Sequence, residues 1–184
     1  MKSLSLKNLQ HKIAHHRDQK AYKDLFILFY KPLFRFALGF VKEKFAAEEV
    51  VSDVMTKIWT LENRLGQIDN LTVYLYRATR NQSLNFIRNN RKYTALPLDI
   101  LDEVYAIPQD SPEAVYLTGE WAREVKKAVA RLPPRCQMVY KLVREDGFTY
   151  KEVAAVLEIS ENTVDRHLNT ALHKMLKTVN AYVA

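Results

Sequence analysis

Between Ala46 and Thr60 the chain reads AAEEVVSDVMTKIWT. Val50, Val51, Val54, Met55, Ile58 and Trp59 recur at i, i+1, i+4, i+5, i+8 and i+9, which makes one apolar face on a helix and no consistent face on a strand. Glu48, Glu49, Ser52, Asp53 and Thr56 are left on the outside. Strand-like alternation is scarce elsewhere, and only four glycines punctuate 184 residues. The pattern therefore predicts an all-α fold.

Other stretches set the organisation. Ala21 to Tyr30 (AYKDLFILFY) is an apolar helical pattern, and Pro32 sits where it can open a second helix, KPLFRFALGFV, as its first residue. A polar loop, ENRLGQIDN, leads to a fourth helix over about Leu71 to Asn90. There Leu75, Thr79, Gln82 and Phe86 are expected inside and Tyr74, Arg77, Asn81, Asn85 and Arg88 outside. No acid occurs from Leu71 to Leu98, and then the charge changes sign. PLDILDEVYAIPQDSP carries Asp99, Asp102, Glu103 and Asp110 with three prolines and no Lys or Arg, so it reads as an extended linker. Helical patterning resumes over Glu113 to Ala130, stops at Pro133-Pro134, restarts in RCQMVYKLVRE and turns at Asp146-Gly147. The expectation is two small helical domains, residues 1–94 and 113–184, joined by an acidic linker over 95–112.

The chain closes on a helical hairpin, YKEVAAVLEISENTVDRHLNTALHKML. In a helix-turn-helix, branched and small residues of the first helix pack on the second, and Val153, Ala154 and Leu157 are spaced to meet Ile159, Val164 and Leu168. Ser160 is positioned to cap the second helix, without a full capping box because Thr163 stands where Glu would complete it. Glu158 occupies the turn position usually given to glycine. The second helix carries Asn162, Thr163, Arg166, His167, Thr170, His173 and Lys174 on its outer side, side chains suited to bases and phosphates. A hairpin with a merely solvated face meets the same pattern.

Composition narrows the classes. A formal charge of +7 and a pI near 9.4 favour a polyanionic partner. The lone Cys136 excludes an intramolecular disulfide framework, no Cys/His cluster has zinc spacing, and Cys136 lies among apolar neighbours as a core residue. No cofactor or metal is expected. MKSLSLKNLQHKIAHHRDQK lacks an apolar signal core, so a cytoplasmic protein without membrane insertion is expected, with His11, His15 and His16 in a disordered tail. Glu49 and Asp53, at i and i+4, resemble paired catalytic carboxylates, but no glycine loop, His partner or ligand set accompanies them, so an enzyme is not expected.

The order of helix pair, AAEEVVSDVMTKIW, VYLYRATRNQSLNFIRNNRK, acidic linker, ARLPPRCQMVYKL and helix-turn-helix resembles, over about residues 20–178, the extracytoplasmic-function (ECF) group of the sigma-70 family. The flavour is closest to the ECF factors of Bacteroidetes. The resemblance implies a non-enzymatic subunit that directs core RNA polymerase to promoters and assists melting of the −10 element. AAEEVVSDVMTKIW looks like region 2.2, so Glu49, Ser52, Asp53 and Thr56 would dock on the β′ coiled coil; the family commonly has Gln-Glu where Ser52-Asp53 stands. The fourth helix looks like regions 2.3 and 2.4. Arg77, Arg80, Arg88, Arg91 and Lys92 would neutralise −10 phosphates, and Tyr74, Asn81 and Asn85 would stack on or bond to melted bases. Asn70 falls in the loop that in the family pockets a flipped base. The hairpin would read the −35 element, and the linker acids would mimic a nucleic-acid backbone. Implied partners are core polymerase through the β′ coiled coil and the β flap, promoter DNA in duplex and melted form, and an anti-sigma factor. A helix-turn-helix regulator that binds duplex DNA without polymerase is the alternative, and it would need no acidic docking helix.

Overall fold

The computed structural model describes the backbone of residues 2–90, 125 and 127–183, and the side chains of residues 5–90, 125 and 127–177. The acidic linker, the start of the helix expected from Glu113, and Arg91 and Lys92 lie outside the described residues. The chain divides into two compact units, Met1–Ala95 and Leu96–Ala184. All regular structure among the described residues is helical.

The first unit contains α1 (Lys2–His16), α2 (Gln19–Val41), α3 (Lys44–Thr60), a 3₁₀ segment (Glu62–Gln67) and α4 (Leu71–Asn90). The α3 stripe behaves as its spacing demands: Val50, Val51, Val54, Met55 and Ile58 are buried, and the helix packs on both α2 and α4. Trp59, at the end of that stripe, is only half-buried.

Two expectations are corrected here. Pro32 does not open a second helix; it lies inside the continuous α2. Proline costs the helix one backbone hydrogen bond, but Leu25, Phe29, Leu33, Phe36 and Ala37 form an unbroken buried stripe on both sides of it, and long-range burial outweighs the local preference. The histidine-rich tail is likewise ordered as α1. Ile13 and Ala14 are buried, α1 packs on α2 and the 3₁₀ segment, and the rings of His11 and His15 lie 4.6 Å apart.

In the second unit, helical residues 127–130 precede α5 (Pro134–Tyr140), whose first residue is Pro134. Gln137, buried, donates to the Val129 carbonyl at 2.9 Å and ties the two segments together. A π-helical turn (Lys141–Glu145) follows, then α6 (Tyr150–Leu157) and α7 (Glu161–Val183). Val153, Leu157, Val164 and Leu168 are buried between α6 and α7, as the hairpin requires, while Ala154 and Ile159 are half-buried. Glu158 adopts φ 56° and ψ 47°, the left-handed conformation its turn position implies. Ser160 Oγ accepts from the Thr163 amide at 3.1 Å and so caps α7.

The first helix of the hairpin has the full capping box that the second lacks. Thr149 Oγ1 accepts from the Glu152 amide at 3.3 Å, while the Thr149 amide donates to Glu152 Oε2 at 2.8 Å. Thr149→Ala removes the cap oxygen and should lower the unfolding free energy of this unit by about 1 kcal/mol. Urea denaturation followed by circular dichroism measures it, and an unchanged midpoint would contradict this account of how α6 begins.

Candidate nucleic-acid interface

The first surface lies between α3 and α4. A groove of 290 Å³ is lined by Asp53 and Lys57 of α3 and by Tyr74, Arg77, Asn81, Gln82 and Asn85 of α4. Arg77, Asn81 and Asn85 are exposed at i, i+4 and i+8, with Tyr74 half-buried one turn earlier. The structure thus brings together four of the residues expected to meet the −10 element. Asn81 Oδ1 accepts from Arg80 Nη1 at 3.0 Å, and Asn85 Oδ1 accepts from Arg88 Nη2 at 2.9 Å. In both amides a guanidinium engages the carbonyl oxygen, which orients Nδ2, the donor end, for acceptor atoms.

Four residues stand differently from expectation. Arg80 is only 9% exposed and is not part of the outer stripe. The inner face of α4 runs through Leu71, Leu75, Tyr76, Thr79, Arg80 and Ser83, rotated from the one expected, because Tyr76 packs on Phe36 with ring centroids 5.0 Å apart. Gln82, expected inside, instead donates to Asp53 Oδ2 at 2.7 Å. Asp53, expected with Glu49, Ser52 and Thr56 on one docking face, is exposed like them but is turned to α4 by that bond. Asn70 is exposed, yet its Oδ1 accepts from the Val73 amide at 3.1 Å and caps α4. Sequence reasoning missed Lys57 and Gln82 in the groove. The i, i+4 relation of Lys57 to Asp53 could have disclosed the first, whereas the second depends on how far α4 is rotated.

The second surface is the outward side of α7. Asn162, Arg166, His173 and Lys174 are exposed. Thr163, His167 and Thr170 are half-buried on the flank. Thr163 Oγ1 pairs with Ser160 Oγ at 2.8 Å, Thr170 Oγ1 donates to the Arg166 carbonyl at 2.8 Å, and His167 Nδ1 lies 3.6 Å from Cys136 Sγ. These three were expected on the outer side and are instead partly spent on the fold. Asn169 was missed. It is exposed, it donates to Asp165 Oδ2 at 3.0 Å, and its spacing of seven from Asn162 and three from Arg166 places it centrally on the outward stripe.

Among the described residues no group of three or more His, Cys, Asp or Glu could hold a metal ion, and no helix is long and apolar enough to cross a membrane. Cys136 packs with Val129, Leu132 and Ala171 as a core residue. Burial pushes its thiol up, and the nearby Lys174 charge opposes this more weakly. A raised thiol pKa means less thiolate at any pH below it. Alkylation by iodoacetamide at pH 8 should therefore be roughly tenfold or more slower in the native chain than in urea, and Lys174→Ala should slow it further. Equal native and unfolded rates, read by mass spectrometry, would contradict the buried placement.

An exposed helix over a capped helical hairpin, joined in the same chain to a cationic groove, defines a DNA-binding protein of the helix-turn-helix class. Comparison with known proteins is more specific. The family described as Sigma-70 region 2 matches residues 25–93, and Sigma-70, region 4 matches residues 122–175. The ECF RNA polymerase sigma factor RpoE of Cereibacter sphaeroides is 22% identical over 170 residues, covering 91% of this chain and 91% of that protein. The probable RNA polymerase sigma factor RfaY of Xanthomonas campestris pv. campestris is 23% identical over 89% of this chain, which spans 42% of that relative's length. Among solved structures, the sigma factor RpoE bound to the anti-sigma factor NepR, from Bartonella quintana, shares the fold with a TM-score of 0.62 at 21% identity, covering 88% of this chain and 98% of that one. The two matched regions together span most of the chain, which belongs to the sigma-70 family.

Proposed function

We propose that this protein is a cytoplasmic initiation subunit that directs core RNA polymerase to its promoters and assists −10 melting, acting by binding and not by catalysis. The observation that carries the reading is the groove in which Tyr74, Arg77, Asn81 and Asn85 stand together. A helix-turn-helix alone suffices to hold duplex DNA. A groove with a half-buried aromatic ring, an exposed guanidinium and two amides aimed as donors suits unpaired bases, which need a stacking surface and partners for their edges. Arg88, beside Asn85, adds charge for the phosphates, and Arg80 serves by orienting Asn81. The narrower likeness to the factors of Bacteroidetes rests on the order of motifs in the sequence.

Protein partners have their own surface. Glu49, Ser52 and Thr56 project from α3 as an exposed polar face for the β′ coiled coil, with Asp53 at its edge. Ile27 and Leu28 of α2 and Phe45 at the start of α3 are exposed apolar side chains in the same unit, the kind of surface that a protein partner covers. The solved relative in complex with its anti-sigma factor supports such an inhibitor here. The β flap would be met by the second unit, and residues 95–112 would serve as the acidic linker between the units.

Run-off transcription with purified core polymerase is the direct test. The wild-type chain should yield promoter-specific transcripts where core alone yields none. Glu49→Lys reverses a charge on an exposed, off-core position and should weaken core binding about tenfold or more, equivalent to roughly 1.4 kcal/mol, with the circular dichroism spectrum unchanged. Co-purification with core at wild-type yield would remove the docking assignment.

The recognition helix gives a separate test. Arg166 is the exposed side chain there able to make a bidentate contact with guanine, worth about 1 to 3 kcal/mol of discrimination, and Asn162 suits adenine. His173 and Lys174, two turns later, suit phosphates. In a −35 substitution library, Arg166→Ala should flatten preference at one base pair, while Lys174→Ala should weaken all variants alike. A common factor across the whole library for Arg166→Ala would mean that this residue reads no base.

A further inference from the structure

The grip of α1 on the segment between α3 and α4 has no part in the functions assigned above. Gln10 is 6% exposed, and its Nε2 donates to the carbonyls of Leu65 and of Ile68, both at 2.7 Å. A side-chain amide nitrogen carries two hydrogens, so both are committed to this one segment. Leu65 itself is fully buried. Beside it, a Cβ built on Gly66 would meet His15 Nε2 at 3.1 Å and Ala14 Cβ at 3.5 Å, so the backbone there lies directly against α1. The start of the segment is held from the same side. Arg17 Nη1 donates to the Trp59 carbonyl at 3.0 Å and to Glu62 Oε1 at 3.3 Å, and the guanidinium lies 4.3 Å from the centre of the Trp59 ring.

Residues Glu62–Gln67 hold one another as a 3₁₀ helix, whereas residues 68–70, which lead into α4, lie outside any helix. The Ile68 amide returns to the Leu65 carbonyl at 3.2 Å and the Arg64 amide to that of Leu61 at 3.0 Å. Its remaining side chains, including Asn63, Arg64, Gln67 and Asp69, are exposed and polar. A polar loop with one buried anchor keeps a single conformation only if other groups hold its backbone. Gln10 does this from 55 and 58 residues away in sequence.

We infer that Gln10 is a positioning residue for −10 recognition: by pinning the Leu65 and Ile68 carbonyls, it fixes the polar edge that the segment presents to a melted base. This rests on the reading of the first unit as the −10 binding unit. It extends that reading to α1, whose own side chains need touch no DNA. Recognition sites demand a supporting shell this tight, because a contact displaced by a fraction of an ångström stops discriminating.

The test uses the full chain assembled with core polymerase and a promoter library in which each −10 base is changed in turn. Gln10→Met keeps length and volume and removes both donors. It should reduce the preference at one −10 position by about tenfold, the scale of one good base contact, while core affinity and −35 discrimination stay as in wild type. Amide hydrogen exchange over residues 65–70 should quicken while that of α4 does not. If Gln10→Met keeps the wild-type −10 preference although Gln67→Ala or Asn63→Ala alters it, the positioning role is overturned and the reading of the loop survives. If no loop variant alters it either, the loop reading itself fails and takes the inference with it. Should Gln10→Met unfold the unit, Gln10→Asn decides: it keeps the amide but is one methylene short of the two carbonyls. In the folded variant a weakened −10 preference supports the inference and an unchanged one overturns it.

Discussion

Burial of the α3 stripe is the constraint from which the first unit follows. Val50, Val51, Val54, Met55 and Ile58 can leave water together only if helices lie on two sides of α3, and α2 and α4 are those helices. With the stripe committed inward, Glu49, Ser52 and Thr56 have nowhere to go but out, while Asp53, one residue further round, meets α4 at Gln82. The exposed polar face of α3 and the groove are thus neighbouring consequences of one packing arrangement. A change that tilted α3 to suit one would misplace the other.

Electrostatics in the groove depends on how guanidinium groups are used. An exposed arginine can offer phosphate its planar fork of donors, whereas one held against an amide fixes where that amide's donors point. Arg77 is exposed on the groove, and Arg80 and Arg88 are bonded to Asn81 and Asn85. Burial of Arg80 is therefore no loss to the site. Its charge stays close to the groove while its side chain stem fills space beside Thr79 and Ser83 on the inner face of α4.

Most of the fold was legible because it rests on period. α3, α4 and the closing hairpin follow from apolar spacing, and the left-handed Glu158 follows from turn geometry. Several departures share a cause: they depend on partners distant in sequence. Pro32 reads locally as a helix start, and only the stripe from Leu25 to Phe36, seen against α3 and α4, shows that the helix runs through it. By its own sequence α1 resembles a tail, and what orders it is contact with distant residues: Ile13 and Ala14 are buried, and Gln10 bonds two backbone carbonyls. His167 fits the outer stripe by composition, yet it faces Cys136, 31 residues away. The capping box at Thr149, by contrast, is local and visible as T-x-x-E. Of the candidate site, residue types were legible and their roles were not, since Arg80 and Asn70 differ from Arg77 and Asn81 only in what folds against them.

Backbone strain follows the same division. Among the described residues the positive-φ residues other than glycine are Arg17, Lys42, Glu62 and Glu158, one after each of α1, α2, α3 and α6. Glycine would adopt that conformation more cheaply, by about 1 kcal/mol at each position, and it occurs at none of them. At Lys42 and Glu158 the cap amides close the helix on the carbonyls of Leu38 and Ala154. Arg17 and Glu62 differ in that they are bonded to each other, at 3.3 Å, across the joint where α1 leaves and the 3₁₀ segment begins. Glycine at either position would relieve the strain and remove this exposed ion pair. Two residues in a strained conformation thus stand where their side chains bridge the end of α1 and the start of the 3₁₀ segment, so local strain and a long-range tie fall on the same positions.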